Sequence, residues 1–133
     1  MSAVATGCTT RGATTLLATS DLEIGLDEWS VAVEDGTAGV VRIVAKNFGD
    51  QKHEVVVVKG STTSGLPTKA GVVDIEATTP AARFLPFVGN TICQAPFELG
   101  PGTYVVFDNQ PADEASGGTS YRERGMTASF TLR

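Results

Sequence analysis

The chain holds one histidine, His53, and two cysteines, Cys8 and Cys93, in 133 residues. An imidazole serves acid–base catalysis, metal ligation or pH sensing near neutrality. Catalysis of the Ser-His-Asp kind needs a nucleophile beside it, and no Gly-x-Ser-x-Gly elbow occurs. Phosphate loops, His-Glu-x-x-His runs and Cys-x-x-Cys pairs are also absent from the sequence. The acidic pair Asp113-Glu114 stands in a polar stretch, without the apolar pocket that shifts a carboxyl pKa. No enzyme is expected. His53 reads as a metal ligand or pH-sensitive contact, or, the favoured reading, as a strand-start histidine bonded to a loop carbonyl. Tyr121, Arg122 and Arg124 are residue types enriched at binding hot spots and form a candidate partner-binding patch. The same run, with Glu123, also reads as a solvated loop of self-paired charges.

The two cysteines allow one disulfide, Cys8 to Cys93, or two unrelated thiols. A disulfide would tie the N-terminus to the middle of the chain and would suit an exported protein. Ala5-Thr6-Gly7-Cys8 resembles the end of a bacterial lipoprotein signal, without the apolar stretch that precedes one. The expectation is an exported chain, periplasmic or at the cell surface, whose membrane contact is a lipid on Cys8. Ser, Thr, Ala and Gly dominate residues 2–20, a composition suited to a flexible tether. Residues 1–20 are therefore read as a loose tail and 21–133 as one domain. Leu16-Leu17 is placed at the start of an edge strand.

A net charge of −5 and a pI near 4.7 exclude a basic nucleic-acid-binding face. They also argue against an anionic membrane surface and leave a protein partner of unknown identity. No run approaches the ~20 apolar residues of a membrane helix.

The elements that must carry these residues are short strands. Leu22, Ile24 and Leu26 alternate with polar neighbours, and Trp29, Val31 and Val33 continue the alternation. Val40 to Lys46 is a further strand after the turn Glu34-Asp35-Gly36-Thr37. His53 to Val58 is a nearly continuous apolar run, as expected of a strand covered on both faces. Between Leu66 and Phe87 the pattern weakens. Val72, Val73 and Ile75 suggest a strand, and Pro80 to Phe84 suggests a short helical turn. Gly100-Pro101-Gly102 is turn chemistry before the β-branched and aromatic run Thr103 to Phe107. Asp108 stands where its carboxylate can cap the next turn. Ala128, Phe130 and Leu132 share one face of a closing strand. Many short strands without a long amphipathic helix predict an all-β sandwich.

Four pieces, in order, resemble the cupredoxin family of Greek-key β-sandwiches. They are Leu26-Asp27-Glu28-Trp29-Ser30-Val31; Val40 to Asn47 with Gly49 and then His53-Glu54-Val55-Val56-Val57; Leu99-Gly100-Pro101-Gly102-Thr103-Tyr104; and Gly125-Met126-Thr127-Ala128-Ser129-Phe130. The resemblance implies a Greek-key sandwich or barrel of cupredoxin type from about residue 22 onward.

It also implies a blue-copper ligand set of two histidines, a cysteine thiolate and an axial methionine. His53 matches the first histidine and Met126 the methionine. Asp108 stands in the place of the thiolate, followed by Asn109, Gln110 and Pro111. Ser120 or Tyr121 stands in the place of the second histidine. The loop from Asn109 to Ser120 is also longer than the family's usual one. The leading expectation is thus a domain without the blue-copper site and without a cofactor, serving as a binding or structural module. The alternative is a non-blue copper site at His53, Asp108 and Met126, used in copper handling or electron transfer.

Overall fold

The computed structural model describes residues 3–4, 8–111 and 120–133. The described residues form twelve strands and one short helix. The strands are β1 (Ala3–Val4), β2 (Thr10–Arg11), β3 (Ser20–Asp27), β4 (Ser30–Val33), β5 (Gly39–Asn47), β6 (His53–Lys59), β7 (Thr68–Lys69), β8 (Val72–Val73), β9 (Ala82–Phe87), β10 (Thr91–Leu99), β11 (Gly102–Phe107) and β12 (Thr127–Leu132). The helix α1 (Ile75–Thr78) follows β8. One five-stranded sheet runs β1-β10-β5-β3-β4 and a second runs β12-β11-β6-β9-β2, with β7-β8 as a small hairpin.

Alternation places the core. In β3, Leu22, Ile24 and Leu26 are buried while Asp21, Glu23 and Asp27 are exposed. They meet Val41, Ile43 and Ala45 of β5, Val55 and Val57 of β6, and Phe84, Phe97 and Phe130 in one apolar cluster. Burial of these side chains removes apolar area from water, the dominant favourable contribution to such a fold.

Strand β6 is covered on both faces, as its apolar run requires. Val55 and Val57 enter the central core. Val56 and Val58 enter a second cluster with Val73, Val105 and Phe107, with Leu66 and Ile75 packed against it. The excursion from Leu66 to Ile75 therefore acts as a cover over the outer face of the second sheet.

Four expectations are corrected. Pro80 to Phe84 is not a helical turn. Residues 82–87 form β9, and the helix is upstream at Ile75–Thr78. Leu16 and Leu17 begin no strand, and Leu17 is exposed. The tail expected over residues 1–20 is fastened to the sandwich from residue 8 onward. Thr10 and Arg11 pair with Phe84 and Arg83, the Thr14 amide donates to the Pro96 carbonyl, and Cys8 is disulfide-bonded to Cys93 with Cα atoms 5.9 Å apart. Short backbone pairings suffice here, because they satisfy donors and acceptors of β9 and β10 that would otherwise face outward unpaired. The Cys8 sulfur, once in a disulfide, has no valence for a lipid thioether, which corrects the anchor expected there. The pair Asp113-Glu114 lies outside the described residues.

Candidate functional site

His53 opens β6, and Asp108 directly follows β11, the strand paired antiparallel to it. The register sets Phe107 opposite Val56, so the chain leaving β11 runs toward the start of β6. This brings the Asp108 carboxylate to the imidazole: Nδ1 of His53 lies 2.8 Å from Oδ2 of Asp108, and both side chains are fully buried. On the other side of the ring, Nε2 lies 3.2 Å from Oε1 of Glu28. An ionised carboxylate only accepts hydrogen bonds. Opposite two ionised carboxylates both ring nitrogens donate, so the geometry favours the imidazolium form of His53. Burial alone works against that charge, but hydrogen bonds to Asp108 and Glu28 and their charges outweigh it, so the His53 pKa is raised.

Glu28 is itself held in place. Its carboxylate accepts from the amides of Asp50 (3.3 Å) and Gln51 (2.7 Å) in the turn between β5 and β6. Partial burial opposes the charge, but these amides and His53 prevail, and the Glu28 pKa is lowered. The turn is shaped by Asn47, whose side chain is buried. Its Nδ2 donates to the carbonyls of Gln51 and Phe87, and its Oδ1 accepts from the Gly49 amide. Glycine at position 49 leaves room for the Glu28 carboxylate, which a Cβ there would displace.

Asp108 is braced by its successor residues. Its Oδ1 accepts from the backbone amide and side-chain amide of Gln110, each at 3.1 Å. The Asp108 amide donates to the Met126 carbonyl at 3.1 Å, which joins the end of β11 to the residue before β12. Met126 is fully buried in the central core.

Aromatic rings close over the imidazole. The Tyr121 and Trp29 ring centroids lie 5.7 Å and 6.2 Å from that of His53 and 4.7 Å from each other. The Arg124 guanidinium sits 4.3 Å over the Trp29 ring, a favourable cation–π placement. Gly125 permits this approach, since a Cβ there would sit 2.6 Å from the Trp29 carbonyl oxygen.

A second, partly buried ion pair adjoins the first. Glu54 accepts from Nε and Nη2 of Arg83 at 3.0 and 2.6 Å, and from the Asn109 amide at 3.2 Å. Burial pushes the Glu54 carboxyl up, against the opposing pull of Arg83.

Of the residues singled out from sequence, His53, Asp108, Met126 and Tyr121 converge at one end of the sandwich. Tyr121 and Arg124 pack on Trp29, and Arg122 turns aside to donate to the Thr63 hydroxyl at 3.0 Å. The expected patch is thus divided between two places. Sequence reasoning missed Glu28, Asn47 and Arg83 as members of the polar network. Asn47 carried a signal, because an Asn followed two residues later by Gly marks a turn. Glu28 carried none, since its partners lie more than twenty residues away.

Among the described residues no group of three or more His, Cys, Asp or Glu side chains is arranged to hold a metal ion. A metal would need a neutral ring nitrogen with a free lone pair, and His53 directs both nitrogens at carboxylates.

No protein-family model and no curated protein matches the chain. Solved structures do. Auracyanin B is similar with a TM-score of 0.65 at 15% identity, over 92% of this chain and 94% of that chain. The dithionite-reduced auracyanin of the photosynthetic bacterium Roseiflexus castenholzii is similar with a TM-score of 0.60 at 21% identity, over 87% of this chain and 98% of that chain. At these identities the likeness is one of architecture, and the chain is an all-β sandwich with a cupredoxin-like fold.

Proposed function

We propose that the chain is an exported binding module on a cupredoxin-like fold, in which an ion triad of Glu28, His53 and Asp108, centred on the buried imidazole, replaces a blue-copper centre. The observation that carries this reading is the engagement of both His53 nitrogens by carboxylates. A proton on each nitrogen takes the place a metal would need. Asp108 supplies a hard oxygen where blue copper uses a soft thiolate. Tyr121 supplies a ring, with no nitrogen donor, beside the imidazole. The donor set does not fit a blue-copper ion, and the cluster is better suited to rigidity than to electron transfer.

Export is supported by the Cys8–Cys93 disulfide, because such bonds persist in oxidising compartments. A module of this kind presents loops on a rigid sandwich, the usual arrangement for recognition. No catalytic role is assigned, because the one imidazole is sealed from solvent.

Titration with Cu(II) by calorimetry and absorption tests the reading. Weak or no binding, the same in His53→Ala, is expected. Tight binding that His53→Ala abolishes would establish the rival copper site at His53, Asp108 and Met126.

A further inference from the structure

An open groove of about 470 Å³ lies against β3, β4 and the start of the turn after β5. Its floor follows from sequence. Gly25 and Ala32 are direct cross-strand partners, so two of the smallest residues meet and the sheet surface dips there. Phe48 forms one wall. The residue is 55% exposed, and its ring edge is 3.4 Å from where a Gly25 Cβ would stand. An exposed phenylalanine held over a glycine leaves one ring face for a ligand.

The charged lining is one-sided. Asp21, Glu23, Glu34 and Asp35 supply four carboxylates against the single ammonium of Lys46. Asp21 pairs with Arg42, Glu23 with Lys46 and Asp35 with Arg133, with exposed carboxylates in each case. Such exposed pairs are weak and exchange readily for a better partner. Glu34 takes part in none of the ion pairs among the described residues.

We infer that this groove docks a lysine- or arginine-bearing segment of a partner protein, with the cation over Phe48 and facing the carboxylates of Glu23 and Glu34. Charge complementarity and the exposed ring together select this occupant: an aromatic face attracts a cation, and the acidic rim steers it. Nucleic acid and anionic lipid are repelled by the same rim. The inference rests on the reading of the chain as a binding module. The copper titration decides that reading separately, because the groove shares no residue with the ion triad.

The test uses a fluorescently labelled Lys-Ala-Arg-Ala-Lys peptide, its Glu-Ala-Glu-Ala-Glu counterpart and spermidine, with the full chain. The cationic peptide should bind and weaken with added salt, and backbone amide shifts should centre on Gly25, Ala32 and Phe48. Phe48→Ala should lower affinity roughly two- to five-fold, as loss of an exposed cation–π contact implies. The double variant Glu23→Gln/Glu34→Gln should lower affinity and flatten the salt dependence. Phe48 and both glutamates are exposed, so these variants keep the fold. No binding, equal binding by the variants, shifts centred elsewhere, or spermidine binding as tightly as the peptide would each overturn the inference.

Discussion

Nδ1 of His53 and Oδ2 of Asp108 stand 2.8 Å apart with neither side chain exposed to solvent. A charge pair this deep is stabilising only while both members remain, because each ion has surrendered its water. Asp108→Ala would leave the imidazolium with Glu28 alone in the interior. A loss of about 3–5 kcal/mol is expected, as when one partner of a buried pair is removed. Urea denaturation monitored by Trp29 fluorescence measures it. A loss below about 1 kcal/mol would mean that the pair contributes little.

The triad makes stability depend on pH. His53 has a raised pKa, so its contribution is full below the ordinary imidazole value of 6.5 and fades as pH rises through the raised value. Glu28 has a lowered pKa, so its contribution is present above the ordinary carboxylate value of 4.5 and fades as pH falls through the lowered value. Together they favour a maximum between these two ordinary values. Glu54, raised by burial, runs opposite to Glu28 and, like His53, loses its contribution as pH rises through its raised value, so the difference between the native chain and a His53 variant isolates His53. Urea midpoints taken from pH 5 upward should fall for the native chain, and His53→Gln should lessen that fall and leave only the part due to Glu54.

Gly49 gives a way to disturb the triad without touching its members. In Gly49→Ala the new methyl meets the Glu28 carboxylate, which must leave the amides of Asp50 and Gln51. A cost of about 1–3 kcal/mol is expected from overpacking. The His53 pKa should fall at the same time, because one of its two anions retreats. Titration of the ring protons by NMR reads this directly, and an unchanged pKa would show that Glu28 keeps its place.

Much of this arrangement is legible in sequence because period-two burial has no substitute. The alternation from Leu22 to Leu26 and the run from Val55 to Val58 each admit one placement, half-buried and doubly covered respectively. Strand β9 was obscured by Pro86 and Arg83. Pro86 is tolerated because the β6–β9 register shifts between His53 and Val55, opposite Leu85 and Pro86, and proline suits such an irregularity. Arg83 is tolerated because Glu54 faces it. The convergence of His53, Asp108 and Met126 followed from the order of motifs in the cupredoxin pattern. That Glu28 completes the triad did not, because the contact arises from a turn that folds back across the sheet.

The residue after Asp108 links the triad to the cover of the second sheet. Asn109 accepts from the Val73 amide and donates to the Val73 carbonyl, both at 2.9 Å, so its side chain acts as one rung of a strand pairing. Val73 is buried with Val56, Val58 and Phe107 beneath the excursion. Asn109→Ala would strip both backbone groups of Val73 of their partner in a place water reaches poorly, at about 1–3 kcal/mol for each group left unsatisfied. The excursion is otherwise tied there by a hairpin of two-residue strands and a single turn of helix. It should therefore open before the sandwich does. Amide exchange at Val73 should accelerate far more than at Val57, which lies in the central core. Equal acceleration at both would show that the cover and the core unfold as one unit.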